Sequence, residues 1–254
     1  MSCDSKVKSL MILITFTILF STATAGNNDW PLPRCSRNDP ELNKCMLKAA
    51  KDSVPIITKG VPKLDLPRLD PLLIKNYSMG VHKIPINLDF SLQNAQILGP
   101  GNISITTVNF DKKIFKMNME GFHKQLKVLG NYNLKGKLFL IPIDSKGNLE
   151  IIFKEMQATH TVLLTPKTTK GATYLDIKLK FKINKLNLLK INMNNPSASQ
   201  KGGQALNKLV NDNWKLLFKA FTPRIETMVE TIFTKAFQPM FTKFTYNDLL
   251  PEKI

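Results

Sequence analysis

The chain has 254 residues, 43% hydrophobic and 22% charged, with 36 Lys and Arg against 19 Asp and Glu. That size and apolar content allow one or two domains with a buried core, and exclude a disordered chain, a collagen-like repeat or a small disulfide-stapled scaffold. The net charge of +17 invites a polyanion, yet only four basic residues are arginine (Arg34, Arg37, Arg68, Arg224). Lysine is a solvated point charge, whereas phosphate and guanine favour the bidentate arginine fork, so nucleic acid is not an expected partner.

Residues 1–25 read as a secretory signal. Lys6 and Lys8 precede an apolar run from Leu10 to Phe20, and the small residues Ala23 and Ala25 lead to Gly26. The run is too short to span a bilayer. A secreted protein with one domain over 26–254 is predicted. Cys3 leaves with the signal, so Cys35 and Cys45 remain as a pair in an oxidising compartment, where they are predicted to form a disulfide. A ring this short stabilises by roughly 2.5–3 kcal/mol on the loop-entropy model. Asn76-Tyr77-Ser78 and Asn102-Ile103-Ser104 are candidate glycosylation sites on exposed loops or strand ends.

Asn38-Asp39-Pro40-Glu41 predicts a helix start, with a capping side chain, a first-turn proline and an acid at the positive end of the dipole. Leu42, Cys45, Met46, Ala49 and Ala50 continue at helical spacing, and Pro55 followed by Gly60 is expected to end the element. From Val61 to Leu72 prolines recur too often for helix or central strand. The regular leucines there predict a strap laid over an apolar surface.

From about Val81 to Met193 the pattern is β. Leu175, Ile177, Leu179, Phe181 and Ile183 alternate strictly with Asp and Lys, giving one apolar and one wet face as in antiparallel sheets. Lys178, Lys180 and Lys182 are then a solvated outer face. Leu126, Val128, Tyr132, Leu134, Leu138 and Leu140 share one parity, with Gly130 and Gly136 in the series where a strand bends or is closely approached. Asp144-Ser145-Lys146-Gly147-Asn148 is predicted to be a hairpin turn.

From about Gln204 to Phe244, apolar residues at three- and four-residue spacing predict a single helix of roughly 50–60 Å, kinked at Pro223. Six of the fifteen phenylalanines fall between Phe218 and Phe244, so this helix must be covered, and the apolar sheet face is the available partner. Catalytic chemistry is not evident. His82, His123 and His160 are far apart, and no nucleophile elbow, phosphate-binding glycine loop or metal-ligand spacing occurs. His160 shares parity with Met156, Ala158, Val162 and Leu164; an inward polar contact for a ligand is one reading, and a hydrogen-bonded structural histidine is the simpler one. No catalytic residue, metal or cofactor is expected.

The cysteine pair around Asn38-Asp39-Pro40, the strap from Gly60 to Leu72, and Asn207-x-x-x-Asn211-Asp-Asn213-Trp214 followed by Pro223 together resemble the takeout and haemolymph juvenile-hormone-binding family of insects. The resemblance covers nearly the whole chain after the signal. It implies an α+β fold in which a long C-terminal α-helix is wrapped by a strongly curved antiparallel β-sheet enclosing a hydrophobic tunnel. It also implies an extracellular carrier of a juvenile-hormone-like terpenoid, fatty acyl chain or quinone; a monomer is the separate expectation for its assembly. No cysteine follows Cys45, which is closer to the takeout branch than to the moth hormone carriers with a second disulfide. From periodicity alone a solid core is the simpler reading; the tunnel comes from the resemblance.

On that basis the expected lining is Leu138, Leu140, Phe153, Ile177, Leu179 and Phe181 from the sheet, with Phe218, Phe221, Ile225, Met228, Ile232 and Phe233 from the helix. A membrane-active or polyanion-binding protein acting through its lysine surface is the alternative. Transient membrane or receptor contact stays open beside the carrier reading.

Overall fold

The computed structural model describes residues 30–254; the predicted signal segment, Cys3 and Gly26 lie outside them. Helix α1 spans Leu42–Ile57. Asp39 Oδ1 accepts the Glu41 N–H at 2.8 Å just before it. The Cys35–Cys45 disulfide is formed, tying the segment ahead of α1 to its first turn. Pro55 lies inside the helix rather than ending it. Gly60 marks the exit: its φ is +86°, and a Cβ there would lie 3.0 Å from Arg68 N. The strap follows, with a 3₁₀ turn at Pro62–Leu64. Leu64, Leu66, Leu69 and Leu72 are all buried, as the leucine spacing predicts.

Among the described residues, six strands form one antiparallel sheet: β1 (Leu72–Lys83), β2 (Ile86–Leu98), β3 (Ile103–Asp111), β4 (Lys116–Leu138), β5 (Ile141–Thr169) and β6 (Ala172–Asn194). The order is β1-β2-β4-β5-β6, with β3 paired to the first part of β4. The β region thus starts at Leu72, nine residues before the sequence pattern becomes legible. At ~3.3 Å per residue, 29-residue β5 would reach roughly 95 Å if flat, so strands this long must twist and curl to close a core. Glycines permit the close approaches this requires. Gly136 has φ +129°, and a Cβ there would sit 2.0 Å from Asn87 O; one at Gly130 would meet Ala95 at 2.9 Å.

The hairpin expected at Asp144–Asn148 is strand instead, because Ser145 is buried and shares a 2.7 Å hydrogen bond with Tyr132 Oη. The chain reverses earlier, at Phe139–Leu140, between the paired residues Leu138 and Ile141. The inward parity series therefore stops at Leu138.

The predicted single helix is two: α2 (Gln200–Asp212) and α3 (Trp214–Lys243). The break is at Asn213, which leaves helical geometry with φ −108° and ψ 18°, and not at Pro223, which α3 accommodates along with Pro239. A short helix α4, Tyr246–Leu249, follows. Asp248 and Thr245 form a reciprocal capping box at its start. Beyond it, Pro251 O accepts the Arg37 N–H at 2.8 Å, and Ser36 Oγ donates to Glu252 O.

The helices seal an edge. Strand β6 pairs with β5 on one side only, leaving alternate N–H groups on the other. Side chains of α3 take them up in order. Glu226, Glu230, Thr234 and Gln238 accept from the backbone N–H of Ile183, Phe181, Leu179 and Ile177, at 2.8 to 3.2 Å. Asn207 and Asn211 of α2 continue the series, each accepting an N–H and donating to the carbonyl of the same residue, Met193 and Ile191 respectively. Four helical residues rise ~6 Å and two strand residues ~6.6 Å, so the two repeats run nearly in step. On the far side, Arg224 Nε donates to Gly80 O of β1 at 3.1 Å, and Tyr77 Oη of β1 donates to Arg224 O at 3.3 Å. Helix α3 thus bridges both outer strands of the curled sheet. Lys178, Lys180 and Lys182 face solvent, as predicted.

Candidate functional site: an apolar cavity along helix α3

The interior is packed differently at its two ends. Toward the β1–β2 and β4–β5 turns, Val81, Ile86, Leu88, Leu134, Leu138 and Ile143 fill the space under the helices. Toward the opposite end the walls separate around a cavity of about 350 Å³. Its floor is the inward face of β4, β5 and β6. Its roof is α3, whose lining residues from Ile225 to Phe241 extend over ~24 Å of helix. Val54 of α1, with Leu69 and Leu72 of the strap, wall one end. The last two strap leucines thus face the hollow part of the molecule.

Eight of the twelve expected lining residues meet here: Phe153, Ile177, Leu179 and Phe181 from the sheet, and Ile225, Met228, Ile232 and Phe233 from α3. The other four do not. Leu140 stands in the β4–β5 turn, 93% exposed, because the strand ends two residues earlier than the parity implies. Leu138 is fully buried in the filled end, and Phe221 packs against that same cluster. Phe218 packs with Met156, Ala158, Phe181 and Ile183 without reaching the cavity. Periodicity identifies which face of an element is apolar; it carries no information about where along that face the packing opens.

Several lining residues escape the sequence reading. Phe237, Met240 and Phe241 continue the helical spacing that already marks Ile225 to Phe233, so the same signal extended two turns finds them. Met117 and Met119 alternate with Lys116, Asn118 and Glu120 in the first part of β4, the same period-two signal that marks β6, and His123 shares their parity.

Among the described residues, the cavity wall carries no carboxylate, lysine or arginine; its polar side chains are Ser53, Thr58, His123 and His160. The two histidines sit on the paired strands β4 and β5. Burial holds the His123 imidazole down to about 4. His160 is likewise lowered to about 4, by burial first and by the nearby His123 second. Both are neutral at physiological pH. The ring of His160 lies against Phe181 with centroids 5.0 Å apart. His123 Nδ1 and His160 Nε2 are buried without a hydrogen-bond partner. The expectation of a hydrogen-bonded structural histidine thus fails at this nitrogen.

Asn76 is exposed within β1 rather than at a strand end, and Asn102 is exposed at the close of a 3₁₀ turn. No helix among the described residues is long and apolar enough to cross a membrane.

A curled antiparallel sheet, closed by C-terminal helices over an apolar cavity, defines a cavity-forming class of binding protein. Residues 14–251 match the family described as haemolymph juvenile hormone binding protein (JHBP), and the chain belongs to that family. It is similar to the circadian clock-controlled protein daywake of Drosophila yakuba, 23% identical over 227 residues and 86% of each chain. The Drosophila melanogaster daywake is 23% identical over 234 residues, covering 88% of each. Among solved structures, Takeout 1 of Epiphyas postvittana superposes with a TM-score of 0.74 at 18% identity, covering 86% of this chain and 99% of that one. The fold is therefore the takeout fold.

Proposed function

We propose that this protein is a secreted carrier that encloses a small, uncharged hydrophobic ligand in the cavity beneath α3. The observation that carries the reading is the lining itself, apolar but for Ser53, Thr58 and the two neutral histidines, and free of formal charge among the described residues. Burying a ~15-carbon ligand at ~0.8 kcal/mol per methylene offers on the order of 10 kcal/mol before ordering costs, enough for micromolar to nanomolar affinity. An ionised carboxylate would enter without a counterion, at high desolvation cost. The neutral histidines instead offer a donor or acceptor to an ester, epoxide, alcohol or quinone oxygen. A terpenoid ester, an acyl ester or a quinone fits better than a free fatty acid. Among the described residues, His123 Nδ1 and His160 Nε2 have no carboxylate or hydroxyl partner of the kind that orients a general base.

Delipidated protein titrated with a fluorescent sesquiterpenoid methyl ester, and with the matching free acid, tests this. The ester is expected to bind at micromolar concentration or tighter, at least roughly tenfold better than the acid and with little salt dependence. Ile177→Trp and Ile232→Trp should weaken the ester by filling its space, while Phe221→Leu, outside the cavity, should not. Absence of any uptake by folded protein would refute the carrier reading; equal binding of ester and acid would refute the uncharged-ligand part.

A further inference from the structure

Two hairpin tips meet at the filled end of the sheet, away from the cavity. The β1–β2 turn holds Ile84 and Pro85; the β4–β5 turn holds Phe139 and Leu140. They are locked side by side, since Phe139 N–H donates to Pro85 O at 2.7 Å and Ile86 pairs with Leu138. Ile84 is 101% exposed, Leu140 93%, Ile141 50% and Phe139 40%. Isolated apolar side chains on a surface need no explanation, but four large ones on two bonded tips form a contiguous projection. Phe139 adds a second sign. Its φ is +57°, a left-handed turn position that glycine or asparagine occupies more easily, and the chain places a large aromatic there.

The charges around the projection are of one sign. Lys83 and Lys137 flank the tips, exposed and without an ion-pair partner among the described residues. The nearest carboxylates are set further back along the strands and already engaged, Asp89 with His82 at 3.4 Å and Asp144 with Lys135 at 3.7 Å.

We infer that the paired tips, with Ile84, Phe139, Leu140 and Ile141 as the apolar wedge and Lys83 and Lys137 as its cationic collar, dock on an anionic lipid surface. Apolar side chains of such a wedge sit ~5–10 Å into the boundary between headgroups and acyl chains, while lysines at its rim meet anionic headgroups. A second copy of the chain is the competing occupant. It would bring one chain of net charge +17 against another, which like-charge repulsion disfavours. An anionic membrane reverses that sign and attracts the whole molecule. None of the wedge residues lines the cavity, so the inference stands apart from the carrier reading.

Co-sedimentation with phosphatidylcholine vesicles and with mixed phosphatidylcholine–phosphatidylserine vesicles tests it, alongside sedimentation equilibrium of the protein alone. Wild-type protein should bind the mixed vesicles, fail to bind pure phosphatidylcholine appreciably, and weaken as salt rises. The double variant Ile84→Ser, Leu140→Ser should lose roughly tenfold or more in vesicle affinity. Both side chains are exposed, so its urea midpoint should match the wild type. Lys83→Gln with Lys137→Gln should reduce binding at low salt and flatten the salt dependence. Leu73→Ser, exposed elsewhere on β1, should change nothing. Vesicle binding unaltered in the double serine variant, or equal binding to both vesicle types, would overturn the proposal. A wild-type dimer that this variant dissociates would assign the wedge to a second copy instead.

Discussion

Glu226 Oε1 accepts the backbone N–H of Ile183 at 2.8 Å, so a helix side chain completes a hydrogen bond that a neighbouring strand would otherwise make. Lys182 lies 3.7 Å from the same carboxylate, whose side chain is only 13% exposed. Glu230 repeats the arrangement one turn on, with Phe181 N–H and Lys180.

Replacing Glu226 with Leu should therefore strand a backbone N–H and destabilise the fold by ~1–3 kcal/mol. Glu226→Gln keeps an acceptor oxygen and should cost less. Urea unfolding of both variants checks the order, and amide exchange at Ile183 should accelerate in the Leu variant specifically. Equal losses for Leu and Gln would mean that the carboxylate acts through its charge and not as an acceptor for the strand.

Acid should weaken the protein through His123 and His160. In the unfolded chain a histidine titrates near 6.5, whereas both fall to about 4 when buried here. Between those values the unfolded state binds more protons, so this stability is fully present above about pH 6.5 and lost as pH falls through about 4. The limiting slope is ~1.4 kcal/mol per pH unit for each histidine. His123→Leu should flatten that limb, recovering on the order of 2 kcal/mol by pH 5 relative to its own neutral-pH stability. Urea midpoints measured across the range give the answer; parallel curves for variant and wild type would show that His123 is not the group responsible.

The two faces of β6 should respond oppositely to charge. Leu179 points into the cavity and Lys180 into solvent. Leu179→Lys puts an unpaired ammonium in an apolar wall and should abolish secretion of folded protein. Lys180→Leu removes the half-exposed ammonium from Glu230, whose carboxylate keeps the Phe181 N–H, and should cost far less than the buried charge, ~1 kcal/mol. Secreted yield and circular dichroism distinguish them, and equal tolerance would reverse the assignment of faces.

Two glycine-to-alanine changes should differ in sign. Gly203 lies within α2 with nothing within 4 Å of a prospective Cβ, so alanine should stabilise by ~0.5–1 kcal/mol. At Gly136, alanine would meet Asn87 O in a backbone conformation that L residues rarely adopt, and should destabilise by ~2 kcal/mol or more. Thermal melts of the two variants provide the comparison.

The parts of the fold legible in the sequence are those written as periodicity. The alternation from Leu175 to Ile183 fixes an inward face, and the leucines from Leu64 to Leu72 mark a buried strap. The Phe139–Leu140 reversal was hidden because it lacks turn residues, while Asp144–Asn148 has them and is strand. Position along the molecule was also hidden: Phe221 and Ile225 are one helical turn apart on α3, yet only Ile225 reaches the cavity. The ladder of Glu226, Glu230, Thr234 and Gln238 was visible as a four-residue repeat of acceptors within an apolar helix. It becomes interpretable only when a strand edge with matching rise lies beside it. His123 and His160 stand 37 positions apart in sequence, and only the register of β4 with β5 puts them in one wall.

The bond from Arg37 N–H to Pro251 O makes the covalent order of this fold a matter of convenience. With the two ends of the domain stitched together, a short linker could join them without crossing the sheet, and a new opening could be cut elsewhere. The Lys170–Gly171 tip between β5 and β6 is suited to it, since nothing lies within 4 Å of a side chain added at Gly171. A circular permutant opened there would begin with β6 and its sealing helices and close with β5. Its register and edge ladder would be unchanged, and the cavity would be assembled from the same residues in a new order of synthesis.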